Sequence, residues 1–265
     1  MRRFPPAQSG LSLIELMVAM TLGLMITVSL GYILMGSSST YRTQSASARV
    51  QDTGRFALEF IGRNLRMAGR TDITPLSSDN RVGLPGGTVP ITGTDSGVAD
   101  TLTVSYQLST LNGDVIQDCN GNSAQIAKTE IKNSSGASYA PQLWYGNVTN
   151  IISRNGTDIQ CLGNGAAQAP QPFAEGVEEL QVVYGVDTTG DDTVDSWSTT
   201  VPGNLTQIVA VQVCILVRSE GNGVVSTAQT YRNCAGTSVT AGDTRLRRTF
   251  TSVFTLRNRV NLLPQ

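Results

Sequence analysis

One carboxylate stands at the head of the longest apolar run in the sequence. The stretch reads Gly10-Leu11-Ser12-Leu13-Ile14-Glu15, and LMVAMTLGLMITVSLGYILM follows, with no charged side chain from 16 to 41. Placing a carboxylate inside a membrane helix is costly, so Glu15 marks a function by default. An isolated ion in hydrocarbon is disfavoured and a paired one is tolerated, so Glu15 is expected to need a partner. Gly10 has no Cβ and leaves its backbone open to close approach. An ordinary secretory signal has an apolar core of about 7–15 residues that precedes its cleavage site. A plain membrane anchor accounts for neither Gly10 nor Glu15.

Two other groups of residues invite a chemical reading. The four cysteines, Cys119, Cys161, Cys214 and Cys234, lack the CxxC spacing of zinc or thioredoxin-like sites and are expected to form structural disulfides. Pairing Cys119 with Cys161 and Cys214 with Cys234 is preferred because each pair brackets one local section of chain. A buried free thiol at Cys214, inside an apolar strand, is the alternative. The loop Asp187-Thr-Thr-Gly-Asp191-Asp-Thr-Val-Asp195 sets carboxylates at every fourth position, a spacing that admits calcium with Asp187, Asp191 and Asp195 as ligands. Gly190 is out of place for an EF-hand and Ser198 stands where the bidentate Glu belongs, so a solvated acidic turn is the plainer reading.

Catalysis finds little support. The chain has no histidine, which removes the commonest general base and metal ligand. Asp100, Asp114, Asp118, Glu175, Glu178 and Glu179 form no recognisable acid/base pair, and neither Ser9, Ser12 nor the run from Ser37 has the flanks of a nucleophile elbow. No cofactor other than calcium is suggested. A formal charge of −1 supplies no basic footprint for nucleic acid.

The elements that must position these groups are of two kinds. Residues 1–10 (MRRFPPAQSG) are basic, are broken by Pro5-Pro6, and read as a leader peptide on the cytoplasmic side. Residues 11–36 meet the roughly 20 residues that a transmembrane helix requires. The helical pattern then continues over 37–69 as an amphipathic stretch. Val50, Ala57, Ile61, Leu65 and Ala68 line one face, widened by Phe56 and Phe60, while Asp52, Arg55, Glu59, Arg63, Arg66 and Arg70 line the other. Gly69 is the expected stop. An unbroken helix from 11 to 68 would be about 85 Å long, softened at Gly23, Gly31 and Gly36.

Residues 70–265 read as a β-rich periplasmic head. The stretch 69–100 is rich in Gly, Pro, Ser and Thr and is expected to be an irregular connection with one short strand. Strands are expected near 101–108, 125–131, 142–153, 158–162, 177–186, 206–218, 224–231 and 246–257. The apolar run at 206–218 suits a central strand covered on both faces, and TLTVSYQL alternates as a half-buried one. The fold class is α+β, with a long N-terminal helix packed on an antiparallel β-sheet domain.

The stretch from Gly10 to Glu15 resembles the type IV prepilin N-terminus: a short basic leader, Gly, a residue that is often Phe, three more, then Glu. That resemblance implies a prepilin peptidase that cuts between Gly10 and Leu11, N-methylation of Leu11, and a Glu15 that compensates the new amine of a neighbouring subunit during assembly. Leu11 stands where Phe is usual. Four further blocks look like the PilW group of minor pilins in order and spacing: RFALEFIGRNLRMAGR, QPFAEGVEELQVVYGVDTTGDDTVDSW, IVAVQVCILVRS and RLRRTFTSVFTLRNRV.

What this second resemblance implies is a type IV pilin-like fold in a non-enzymatic subunit. The subunit would rest in the inner membrane with its N-terminus in the cytoplasm and its head in the periplasm, then enter a pilus. It would prime assembly together with other minor pilins and the major pilin at the inner-membrane platform. It would stay at the tip, with a large tip adhesin as a further partner and with roles in twitching motility and cell adhesion. The rivals are a J-type minor pseudopilin of a type II secretion system, which shares the motif, and a membrane-anchored periplasmic binding module that never polymerises.

Overall fold

A computed structural model of the protein describes residue 10 and residues 12–70, 89–123, 126, 128–133, 135–165 and 169–258. The leader up to residue 9, Leu11 and most of the connection expected over 69–100 lie outside the described residues. The chain divides into two compact units, Met1–Ala46 and Ser47–Gln265.

Helix α1 is Leu13–Met67, 55 residues without a break. In the first unit its apolar side chains are bare: Leu13, Met17, Met20, Leu24, Ile33 and Met35 are all more than half exposed. The hydroxyls of Thr21, Thr27, Ser29 and Thr40 donate to carbonyls about one turn earlier, which satisfies them without water. By length and composition this helix can cross a membrane.

In the second unit the stripe of Val50, Ala57, Ile61, Leu65 and Ala68 is buried, each residue 3% exposed or less. The helix stops at Gly69, whose φ is +70° and whose N–H donates to Ser105 O at 2.9 Å. A Cβ at that position would lie 2.4 Å from Asn258 O, so only glycine fits.

The strands that follow are β1 (Ile91–Thr94), β2 (Thr101–Leu111), β3 (Lys128–Lys132), β4 (Ser138–Asn155), β5 (Asp158–Gly163), β6 (Gln171–Glu175), β7 (Val177–Val186), β8 (Ser196–Ser198), β9 (Ile208–Arg218), β10 (Thr230–Arg232), β11 (Ser238–Thr240) and β12 (Arg247–Thr255). One sheet has the order β1-β2-β4-β5-β6, with β3 also paired to β4. A second has the order β12-β9-β7-β8, and β10 and β11 form a separate hairpin. The ladders within all three are antiparallel.

The helix therefore packs on two sheets rather than on one. Both sheets and α1 contribute to a single core, with Leu102, Val104, Val148 and Ile152 from the first sheet and Leu180, Val182, Val211, Val213 and Ile215 from the second. A parallel bridge between Ala99 and Leu180 joins them, and the buried Asp100 carboxylate accepts from Val182 N–H at 2.8 Å. A polar seam crosses the same core. Asn150 donates to Asn64 of α1 at 2.7 Å and to Tyr106 at 3.2 Å, so the amides of Asn64 and Asn150 partner one another inside the core.

Strand β9 is central and covered on both faces, as its long apolar run, interrupted only by Gln212 and closed by Arg218, requires. The strand expected over 224–231 is replaced by bends and irregular chain, with only β10 at its end. Its hydrogen-bonding groups are used elsewhere: Val224 and Val225 both donate to Thr244 O, and Gln229 is taken up by Arg247. The strand expected over 125–131 is Lys128–Lys132, residue 125 lying outside the described residues. Strands β6, β8 and β11 are too short and polar to show a period of two.

Candidate assembly site at the head of the helix

Ser12 and Glu15 bond to one another reciprocally. Ser12 N–H donates to Glu15 Oε2 at 3.0 Å, and Glu15 N–H donates to Ser12 Oγ at 3.3 Å. This is a capping box, in which two of the orphan N–H groups at a helix N-terminus are satisfied by side chains. The Ser-x-x-Glu spacing announced it, but Glu15 was expected only as a partner for an amine. One carboxylate thus does local work within its own chain, where the positive end of the helix dipole also favours it. Glu15 Oε1 has no bond among the described residues.

Gly10 is exposed, and a Cβ built on it would meet nothing within 4 Å. The backbone next to the expected cut is accordingly open. Leu11, the expected new N-terminus and methylation position, lies outside the described residues. Beyond Glu15 the exposed apolar surface of α1 begins at once, with Leu16, Met17, Val18 and Met20 each about half exposed or more. A carboxylate that ends an apolar rod can pair with a cation supplied by a second, similar rod.

The cysteines and the acidic loop belong to the second unit. Cys119 is bonded to Cys161 and Cys214 to Cys234, leaving no free thiol. The first bond ties the loop after β2 to β5, and the second ties β9 to the turn of the β10–β11 hairpin.

In the acidic loop each of the three carboxylates accepts from hydroxyl or N–H groups of the loop itself. Asp187 Oδ1 accepts from the N–H groups of Thr189 and Gly190, and its Oδ2 accepts from Asp192 N–H. Asp195 Oδ2 accepts from Thr188 Oγ1 and from the N–H groups of Thr188 and Thr189, while Asp191 Oδ1 accepts from Thr193. Burial raises the Asp187 carboxyl, but the donors of Gly190, Asp192, Thr189 and Asp191 outweigh it and hold the group below the usual carboxylate range. The hydroxyl and N–H of Thr188 do the same for Asp195. Among the described residues no cluster of three or more His, Cys, Asp or Glu is arranged to hold a metal ion.

Two stretches of the chain are similar to known families. Residues 130–258 match the model of type IV pilus-assembly protein W, and residues 5–31 match the prokaryotic N-terminal methylation motif. Among solved structures, a type IV-like pilin from Thermus thermophilus is similar, with a TM-score of 0.45 and 13% sequence identity over 79% of this chain and 96% of that one. No curated protein matches in sequence. The methylation motif spans the Gly10–Glu15 head of the helix, and the second match runs from β3 to the end of the described chain. Over residues 130–258 the chain is thus similar to type IV pilus-assembly protein W, and its N-terminus carries a prokaryotic N-terminal methylation motif.

Proposed function

We propose that the protein is a minor pilin that primes assembly of a type IV pilus and remains at its tip, with a mechanical rather than catalytic role. The observation that carries this reading is the bare apolar segment of α1 headed by Glu15, in a chain whose head matches a pilus-assembly family. A rod of exposed Leu, Met, Ile and Val is stable first in a lipid bilayer and then in a bundle of like helices. Before assembly the subunit rests in the inner membrane, N-terminus in the cytoplasm and head in the periplasm. Prepilin peptidase cuts after Gly10, Leu11 is methylated, and Glu15 then pairs with the amine of a neighbour.

The head supplies partner specificity toward other minor pilins, the major pilin and a large tip adhesin, and the inner-membrane platform drives extrusion. N-terminal sequencing of the membrane-extracted protein tests the processing and is expected to start at methylated Leu11; an intact Met1 overturns it. Deleting the protein is expected to remove most surface pili, and gold-labelled antibody is expected at filament ends. A deletion that leaves pili normal but blocks protein secretion assigns the chain to a secretion system instead.

A further inference from the structure

The outer strands of this head are unequally protected against pairing with another chain. Strands β1 and β8 have only four and three residues. Strand β6 carries Pro172, and β3 carries Lys128 and Lys132 beside a register shift. These are the usual devices that stop an edge from recruiting a strand. Strand β12 has none of them past Arg248. It runs nine residues in unbroken register against β9, with no charge, proline or bulge from Thr249 to Thr255.

The direction of its free groups follows from the ladder. Leu256 N–H donates to Val209 O in the same register, so even-numbered residues bond to β9 and the N–H and C=O of Arg247, Thr249, Thr251, Val253 and Thr255 turn outward. The chain closes the first of these itself. Arg247 N–H donates to Gln229 Oε1 at 2.8 Å, Gln229 Nε2 donates to Arg247 O at 3.0 Å, and Thr249 Oγ1 donates to Arg232 O. Beyond that point the outward groups of Thr251, Val253 and Thr255 have no partner among the described residues, and all three side chains are exposed. The strand is also held rigid from behind, because Phe250 and Phe254 rest against Gly54 and Gly62 of α1.

Outward groups that recur every second residue can be matched only by an extended backbone. We propose that residues 251–255 of β12 take up an extended, uncharged strand from a different subunit of the same pilus. This rests on the reading that the protein works inside a pilus. Neighbours in such a filament are related by a screw operation, under which an edge does not meet its own copy. Among the described residues the remaining outer strands, those of the β10–β11 hairpin, have only three residues each, so no second long unguarded edge is on offer and the added strand comes from another kind of subunit.

The test uses the full chain in its own cells. A photo-crosslinking side chain in place of Thr251 is expected to capture another pilus subunit. Val253→Pro removes an outward N–H and leaves the β9 ladder whole; it is expected to abolish that capture and to lower surface pili about tenfold, the effect of roughly one lost backbone hydrogen-bond pair. Val253→Lys adds only an exposed charge and is expected to act the same way. Both variants should still form two disulfides and resist protease as the parent does. Capture of the chain's own C-terminal residues, capture of a second copy, no capture, or normal piliation in both variants each overturns the proposal. Normal piliation in a strain that lacks the chain altogether overturns the pilus reading, and the edge proposal with it.

Discussion

Phe254 lies so close to Gly62 of α1 that a Cβ on the glycine would stand 2.3 Å from the ring, and Phe250 bears the same relation to Gly54 at 2.5 Å. The two glycines are eight residues apart on a helix, about 12 Å at 1.5 Å per residue. The two rings are four residues apart on a strand, about 13 Å at 3.3–3.4 Å per residue. The spacings match, so the two contacts fix the register of β12 against α1 together.

Gly62→Ala should therefore destabilise the head, although Ala in an exposed helix would stabilise by about 1 kcal/mol over Gly. Overpacking a ring contact costs about 1–3 kcal/mol, leaving a net loss of about 1 kcal/mol and a fall in Tm of about 2–4 °C for a head of this size. Thermal unfolding in detergent measures it. Phe254→Leu in the same chain should recover part of the loss, and an unchanged or raised Tm in the single variant would show that the ring moves aside freely.

The capping box gives Glu15 two separable roles. Glu15→Gln keeps an oxygen that can accept from Ser12 N–H but removes the charge, while Ser12→Ala keeps the charge and removes one cap, at about 1 kcal/mol. If charge pairing drives assembly, Glu15→Gln is inserted and processed yet assembles as poorly as Glu15→Ala, and Ser12→Ala assembles nearly normally. Immunoblots of sheared filaments read this directly. Normal piliation in Glu15→Gln would reduce the carboxylate to a helix cap.

The disulfides should differ in worth. Cys119–Cys161 closes a separation of 42 residues and Cys214–Cys234 one of 20. Loop-closure entropy grows by about 0.6 kcal/mol per doubling, on a base of about 2–4 kcal/mol for each bond. Replacing both cysteines of the first pair with serine should therefore lower stability more than replacing those of the second, as read by denaturant midpoints of the full chain. The reverse order would mean that packing around Cys214, in the central strand, outweighs chain entropy.

What the sequence disclosed was local, and what it hid was long-range. Five apolar positions along 50–68 defined the buried face of α1, Gly69 marked its end, and the long, mostly apolar run of β9 marked a strand with two covered faces. Each of these signals is complete within a few turns or one strand. Gly54 and Gly62 are legible only as helix weaknesses until Phe250 and Phe254, nearly 200 positions away, are brought against them. The strand expected over 224–231 has the apolar content of one, but its backbone and Gln229 are engaged by residues near 244–247, which no local pattern reveals. At the candidate assembly site, Glu15 was evident from its cost in an apolar run, and its bond to Ser12 was present in the spacing as well.

Acid should loosen the second sheet through Asp243. Its carboxyl is held down to about 2, first by the hydrogen bond from Arg247 and against the effect of burial, with help from Arg245 N–H and the charges of both arginines. The same Arg247 grips Glu178 at 2.6 and 2.9 Å, Arg218 reaches Glu178 at 3.2 Å, and the Tyr231 ring lies 5.6 Å from the Arg247 guanidinium. A carboxyl whose folded value lies below its unfolded one contributes in full above the unfolded value, near 3.8 here, and loses that contribution as pH falls toward 2. Asp187 and Asp195 are lowered too and act in the same direction. The Tm of the full chain should thus fall between about pH 4 and pH 2. In Asp243→Asn it should start lower at neutral pH, and the gap to the parent should close by about pH 2. A gap that stays constant across that range would mean that Asp243 contributes by packing, with no net gain from its charge.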